Sequence, residues 1–337
     1  METLNAKHFI TQARERLAGK DARKLAAFHT GITAAFALAV TILQYVLQMG
    51  IGNTGGLSGM GTTTILQTIQ TVLDWANMIL APFWNLGFFY VTLLWARDQY
   101  GRRADLLTGF HRLSPCIGLM VTRSLMVIGV MIICIYAGSA VYMMTPASQP
   151  ITEIAMQNNM DMDAINAYLY QMTEAQTMEL LYSMLPMLVV SAVLAVVLLV
   201  PLMYRFRLAE YAILNHKGLR AIPALVISAH LMRRRCWQML KLDLRLWWYY
   251  ALKVLCMLLC YLEVLLAAAG IALPAFGDGL AFAAYALYLV ALFAVETAFR
   301  PQVQTAYAVV YETYMAQGPV QRKDVPAKPQ NAPWDEV

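Results

Sequence analysis

Charge is scarce in this chain. Lys, Arg, Asp and Glu make up 13% of its 337 residues, against about 25% in a soluble domain. That deficit excludes an ordinary water-facing surface. With 60% hydrophobic residues and a mean hydropathy of +0.54, the chain takes the composition of a polytopic membrane protein. Cysteine is also sparse. Cys116, Cys134, Cys236, Cys256 and Cys260 lie inside apolar runs or beside basic segments, which argues against a disulfide framework. Cys256 and Cys260 are one helical turn apart without further ligands and read as packing residues rather than a metal or redox pair. The chain has no HExxH pair, no phosphate-binding glycine loop ending in Lys-Ser/Thr and no dinucleotide fingerprint. No ATP-driven motor, no kinase, no enzyme of a recognisable class and no cofactor are therefore expected.

The expected fold is all-α, with six transmembrane helices at about 25–49, 75–96, 118–143, 180–204, 247–271 and 279–299, each near the ~20 apolar residues a bilayer requires. Together they form a transmembrane domain over residues 25–315. Basic residues are missing from three of the connecting loops, and that absence orients the protein. All 25 Lys and Arg lie before span one, near the loop between spans two and three, in the basic segment 205–246 and its edges, or after span six. By the positive-inside rule both termini are cytoplasmic. The apolar run after the polar first 24 residues is too long for a signal-peptide core, so it reads as a retained helix.

The flanking segments have their own signatures. Within 1–24, Phe9, Ile10, Ala13 and Leu17 share one side of a helix, which reads as an amphipathic helix on the inner leaflet. The outer segment 144–178 carries four acids and no base, with apolar spacing that predicts one or two short helices. The tail 316–337 is proline-rich and polar and is expected to be disordered. Residues 205–245 read as two short amphipathic helices broken near Gly218 and Pro223.

Polar residues inside the spans are the candidates for a site. Glu263 in span five lies roughly 12 Å inside the outer boundary at 1.5 Å per residue, where a carboxylate seeks a partner or a watered cavity. Asn77 and Asn85 in span two seek partners on another helix. Glu263, Asn77 and Asn85 together make a candidate intramembrane polar site. Glu296 and Arg300 read as an (i, i+4) ion pair at the inner boundary, while Lys253 and Arg123 are placed to snorkel. His29, just inside span one, has no partner legible in the sequence.

Other short patterns carry less. Ser58 in "GLSG" lies in a glycine-rich outer loop and no late span holds a histidine, so a serine-protease site is not supported. Met156, Met160 and Met162 cluster without His or Cys and do not make a copper site. The stretch "HLMRRRCWQMLKLDLRLWWYY" (230–250) is basic, yet its apolar flanks and its place beside span five exclude a nucleic-acid patch. It reads as a helix entering the membrane, with Trp247, Trp248, Tyr249 and Tyr250 as an aromatic belt. Arg233, Arg234 and Arg235 are then set toward anionic headgroups on the cytoplasmic side.

Several phrases occur in an order that resembles one family. "DLLTGF" (105–110), "SAHLMRRRCW" (228–237) and "RPQVQTAYAVVY" (300–311), with "VPLMYRFRLAEYAIL" (200–214) and "LKLDLRLWW" (240–248), resemble the bacterial integral membrane family catalogued as domain of unknown function 975. The matching residues are Asp105, Leu106, Gly109 and Phe110; Ser228, Leu231, Met232 and Arg233; and Pro301, Thr305, Ala306, Ala308 and Tyr311. Two positions depart from the pattern: the family's glycine after the basic residue is Arg234 here, and a tyrosine is Gln302. The resemblance implies a multi-pass protein of the bacterial cytoplasmic membrane and no reaction.

On these grounds the expected function is non-enzymatic, exercised through lipid contact or a membrane-protein partner. The alternative is a small-solute permease using Glu263. The three phrases all border span ends on the cytoplasmic side, and Asp105 is expected to meet Arg233–Arg235 and close that face.

Overall fold

The computed structural model describes residues 6–52, 59–144, 173–216, 218–261 and 278–318. The described residues are helical throughout apart from short turns, with no strand among them. In chain order the α-helices are α1 (Ala6–Leu17), α2 (Ala22–Gly52), α3 (Gly59–Ala96), α4 (Thr108–His111), α5 (Leu113–Met143), α6 (Glu174–Arg205), α7 (Ala209–Asn215), α8 (Ala221–Leu231), α9 (Cys236–Arg245), α10 (Trp247–Leu258) and α11 (Asp278–Gln317). Short 3-10 turns precede α4 at Arg103–Leu107 and follow α10 at Leu259–Tyr261. The outer helices expected within 144–178, Glu263 and the tail beyond Gly318 lie outside the described residues, apart from the start of α6.

Four stretches are long and apolar enough to cross a membrane: Ala22–Leu43, Leu113–Met143, Leu181–Asn215 and Ala283–Gln317. They overlap expected spans one, three, four and six, and the last two run on past the expected ends to Asn215 and Gln317. The second expected span lies in α3, whose described apolar stretch is the shorter Leu80–Ala96. The fifth continues past Tyr261, where the described residues stop.

The chain falls into two compact units, Met1–Ile117 with Leu208–Val337, and Gly118–Arg207. The axis of the first is α11. Its 40 residues rise about 60 Å, twice the ~30 Å hydrocarbon core, so half of the helix must lie outside that core. The two halves differ accordingly. Leu287 and Val290 are exposed, whereas Val303, Ala306, Tyr307, Ala308, Val310, Tyr311 and Tyr314 are buried on every side. Helix α1 packs on this second half, with Phe9 and Ala13 fully buried and the Phe9 ring edge-on to Tyr314 at 6.2 Å. The apolar face of α1 assigned to the leaflet is therefore spent on α11, because Phe9 and Ala13 find a protein surface of matching shape there.

The phrase 105–110 is also a packing device. A Cβ on Gly87 of α3 would lie 1.7 Å from the Leu106 carbonyl oxygen, and one on Gly109 would lie 2.1 Å from the Phe83 carbonyl oxygen. The two backbones touch at these glycines, and Leu106 is fully buried between them. Asp105 accepts a hydrogen bond from the Arg102 backbone N–H at 2.6 Å and so starts its own 3-10 turn.

Residues 205–245 form three helices, not two. Gly218 supplies a positive φ of 88° at one break. Pro223 breaks nothing: it sits in the first turn of α8, where its missing N–H has no helical acceptor to lose. The second break falls at the arginines, where Arg234 takes a left-handed φ of 63°. Ser228 is buried and its hydroxyl accepts the Leu208 N–H at 3.1 Å, tying α8 to the start of α7. Arg112 caps the other end of α7 by donating to the carbonyls of Ile213 and His216.

The second unit is simpler. Ser191 of α6 donates to the Cys134 carbonyl of α5 at 3.1 Å, and a Cβ on Gly138 would stand 1.9 Å from that serine's oxygen. Small residues let the two helices approach closely. Most of their other apolar side chains point outward: Leu125, Ile133, Val193, Val196 and Val197 are all more than half exposed.

Candidate functional site

The candidate site is a line of polar side chains that joins α2, α3, α10 and α11 inside the first unit. Its centre is Glu296 of α11, a buried carboxylate. Lys253 of α10 reaches its Oε1 at 2.7 Å, and the Tyr249 hydroxyl donates to the same oxygen at 3.0 Å. Oε2 has no hydrogen bond; its neighbour is the Arg300 Nε, an ion contact at 3.4 Å one helical turn away. Arg300 then carries the line across the bundle. Its Nη2 donates to Asn85 Oδ1 of α3 at 2.8 Å and its Nη1 meets His29 Nδ1 of α2 at 3.3 Å.

The tautomer of His29 follows from its neighbours. A guanidinium only donates, so Nδ1 must be the bare acceptor. Nε2 then carries the proton and donates it to the Trp84 carbonyl at 3.1 Å. Trp84 returns the bond, its Nε1–H donating to the His29 carbonyl at 3.1 Å. The two rings lie stacked, 13° from parallel at 5.2 Å. Phe88, fully buried, supports both ends: its ring lies 4.6 Å from the Arg300 guanidinium and 4.9 Å from the imidazole. Cation–π attraction stabilises a guanidinium removed from water by about 2 kcal/mol in such desolvated settings.

Chemically this is a clamp. Each ionised group has an opposite charge or an oriented amide beside it, as burial requires. The line also ends at a backbone carbonyl, which cannot pass a proton onward, so it is a poor relay. Among the described residues no group of three or more His, Cys, Asp and Glu is placed to hold a metal ion.

The structure redistributes the residues singled out from sequence. Glu296 and Arg300 do pair, as expected one helical turn apart, and both side chains are largely covered by protein. Asn85 joins them. Asn77 lies in α3, its side chain outside the described set, and Glu263 also lies outside it. Lys253, placed to snorkel, is turned to Glu296 and remains only half-exposed. Tyr249, assigned to the aromatic belt, is buried against that same carboxylate, while Trp247 is exposed. His29, Trp84, Tyr249 and Lys253 were not among the candidate-site residues. One signal pointed to part of the set: His29 sits just inside the start of span one and Arg300 just past the end of span six, at one depth.

The three arginines also separate. Arg233 and Arg234 are exposed, but Arg235 is buried, so it does not face headgroups. Its guanidinium donates to the Gly318 carbonyl at 3.0 Å and the Tyr314 carbonyl at 3.5 Å, 4.4 Å from the centre of the Tyr314 ring. It caps the end of α11, where cations are favoured, and desolvation draws its pKa below the ordinary value. Among the described residues no ion pair joins Asp105 to Arg233, Arg234 or Arg235; Asp105 caps its own turn and Arg235 caps α11. Comparison of the chain with protein-family profiles, with curated proteins and with solved structures finds no match.

Proposed function

We propose that this chain is a six-span protein of the bacterial cytoplasmic membrane with both termini cytoplasmic. It works without catalysis of its own, through contacts with lipid and with a membrane-protein partner. The observation that carries this reading is the clamp: the charged and polar groups within the bundle close on one another and hold four helices together. The phrases that resemble the uncharacterised family support it in the same way. Leu106, Gly109, Ser228, Leu231, Met232, Thr305, Ala306, Ala308 and Tyr311 are all buried, so they serve packing. Arg234 also fits, since it adopts the left-handed backbone that a glycine takes at no cost.

Two measurements test the reading. In a cysteine-free background, single cysteines at His8, Tyr100 and Lys241 should be labelled by an impermeant maleimide only after the inner face is opened. Cysteines at Thr54 and Ser148 should react from outside; the reverse pattern sinks the topology. A photo-cross-linker at Val193 or Val197, exposed on α6, should give one adduct of discrete mass in cells. Solute flux in proteoliposomes that Glu263→Gln abolishes would instead establish the permease.

A further inference from the structure

We propose a binding site for a phosphate-bearing anionic lipid headgroup where the α1–α2 turn meets α11; it rests on the reading of the chain as a membrane protein. A cleft of about 430 Å³ opens there, lined by Arg14, Lys20, Asp21, Arg23, Lys24 and, from α11, Pro301 with its neighbours. Four cations line it against one carboxylate. Lys24 holds that carboxylate, Asp21, at 2.9 Å. Lys20 is directed to Asp98, also at 2.9 Å, with a second bond to the Trp95 carbonyl at 3.3 Å. Arg14 and Arg23 are exposed and have no acidic partner among the described residues. The cleft therefore keeps two uncommitted guanidiniums, the side chain best matched to phosphate by its planar fork of donors.

Its depth is the second observation. The apolar stretch of α2 begins at Ala22, which lines the cleft. On α11 the lining residues are Ala298, Pro301 and Gln302, at the point where the expected sixth span ends and the helix becomes buried in protein. Two helices that run in opposite senses thus reach their membrane boundary at the same cleft. That is the level at which lipid phosphates lie, with acyl chains free to run along the exposed apolar sides of α2 at Ile32, Phe36 and Leu43. Free phosphate shares the headgroup's chemistry but lacks those chains.

The test uses the full chain in nanodiscs of neutral lipid doped with an anionic phospholipid, with retained lipid read by native mass spectrometry. Arg14→Gln with Arg23→Gln should weaken retention of the anionic lipid by about thirty-fold, from roughly 1 kcal/mol for each of the two cations near an anionic surface. A charge-matched control, Arg102→Gln with Arg220→Gln, both exposed and outside the cleft, should retain it as the parent does. Inorganic phosphate titrated against detergent-solubilised protein distinguishes the sources. Failure of phosphate to raise the melting temperature, with lipid retained, identifies the lipid headgroup. Stabilisation by phosphate that the Arg14/Arg23 variant loses supports the same site with the acyl chains contributing little. Equal retention by parent, variant and control overturns the site, yet leaves the membrane topology measured by cysteine labelling untouched.

Discussion

The two units are helical to the same degree but obtain their stability in different ways. In the first, α1 and α3 pack on α11, side chains of α7 and α9 bond to its second half through Tyr211, Asn215, Gln238 and Asp243, and contacts are made at backbone distance through Gly87 and Gly109. Buried charge is cross-linked by Lys253, Glu296 and Arg300. In the second, Leu119 and Cys134 are the buried apolar side chains among the described residues, and the long side chains of α5 and α6 point outward. In water the second arrangement would be untenable, since apolar surface is costly there at about 25 cal/mol per Å². In lipid that cost disappears, and close approach at small residues is what remains to hold helices together. The first unit covers its apolar side chains with protein, whereas the second leaves them exposed on helices long and apolar enough to cross a membrane.

Substitutions that treat the units differently sharpen this contrast. The largest effect is expected at Gly87→Ala, whose Cβ would meet the Leu106 carbonyl at 1.7 Å. Backbone cannot yield as a side chain can, so a loss of ~3 kcal/mol or more and failure to accumulate in membranes are expected. Gly129→Ala in the second unit meets nothing within 4 Å and should gain up to about 1 kcal/mol from helix propensity. Equal behaviour of the two variants in a thermal-shift assay would erase the distinction.

Arg300→Met comes next, expected to cost about 3–5 kcal/mol by stranding Glu296, Asn85 and His29. Arg300→Lys should recover only part of this, because one ammonium cannot span the amide, the imidazole and the Phe88 face. Full recovery in denaturant titration would mean that charge alone matters. Smaller still is Arg234→Gly. Relief of the left-handed φ of 63° should raise stability by about 1 kcal/mol, and a drop in melting temperature would show that the arginine side chain outweighs its backbone cost.

The smallest effect is a pH dependence at the end of α3. Asp98, in a left-handed C-terminal cap, has its carboxylate held below the usual range by the hydrogen bond from Lys20, then by the charges of Lys20 and Arg16. Its folded pKa lies below the unfolded one, so its contribution is complete above about pH 4 and is lost as pH falls through the folded value. Asp98→Asn should flatten that limb of the stability curve. The change will be slight, since the group is exposed.

Composition and apolar periodicity determined by themselves that the chain is helical with helices apolar enough to cross a membrane, marked Asn85 as an amide needing a partner and paired Glu296 with Arg300. They did so because the cost of burying an amide or a charge depends on residue type and depth, both readable along one strand of sequence. Which groups from other helices would join them was decided only by tertiary structure. The α1 face that resembled a lipid anchor covers α11, and Arg235 caps that helix through the Tyr314 carbonyl, 79 residues further on. Amphipathicity and charge state what a side chain requires, lipid or protein, headgroup or carbonyl. They do not say which of the chemically equivalent partners the packing of helices will bring within 3 Å.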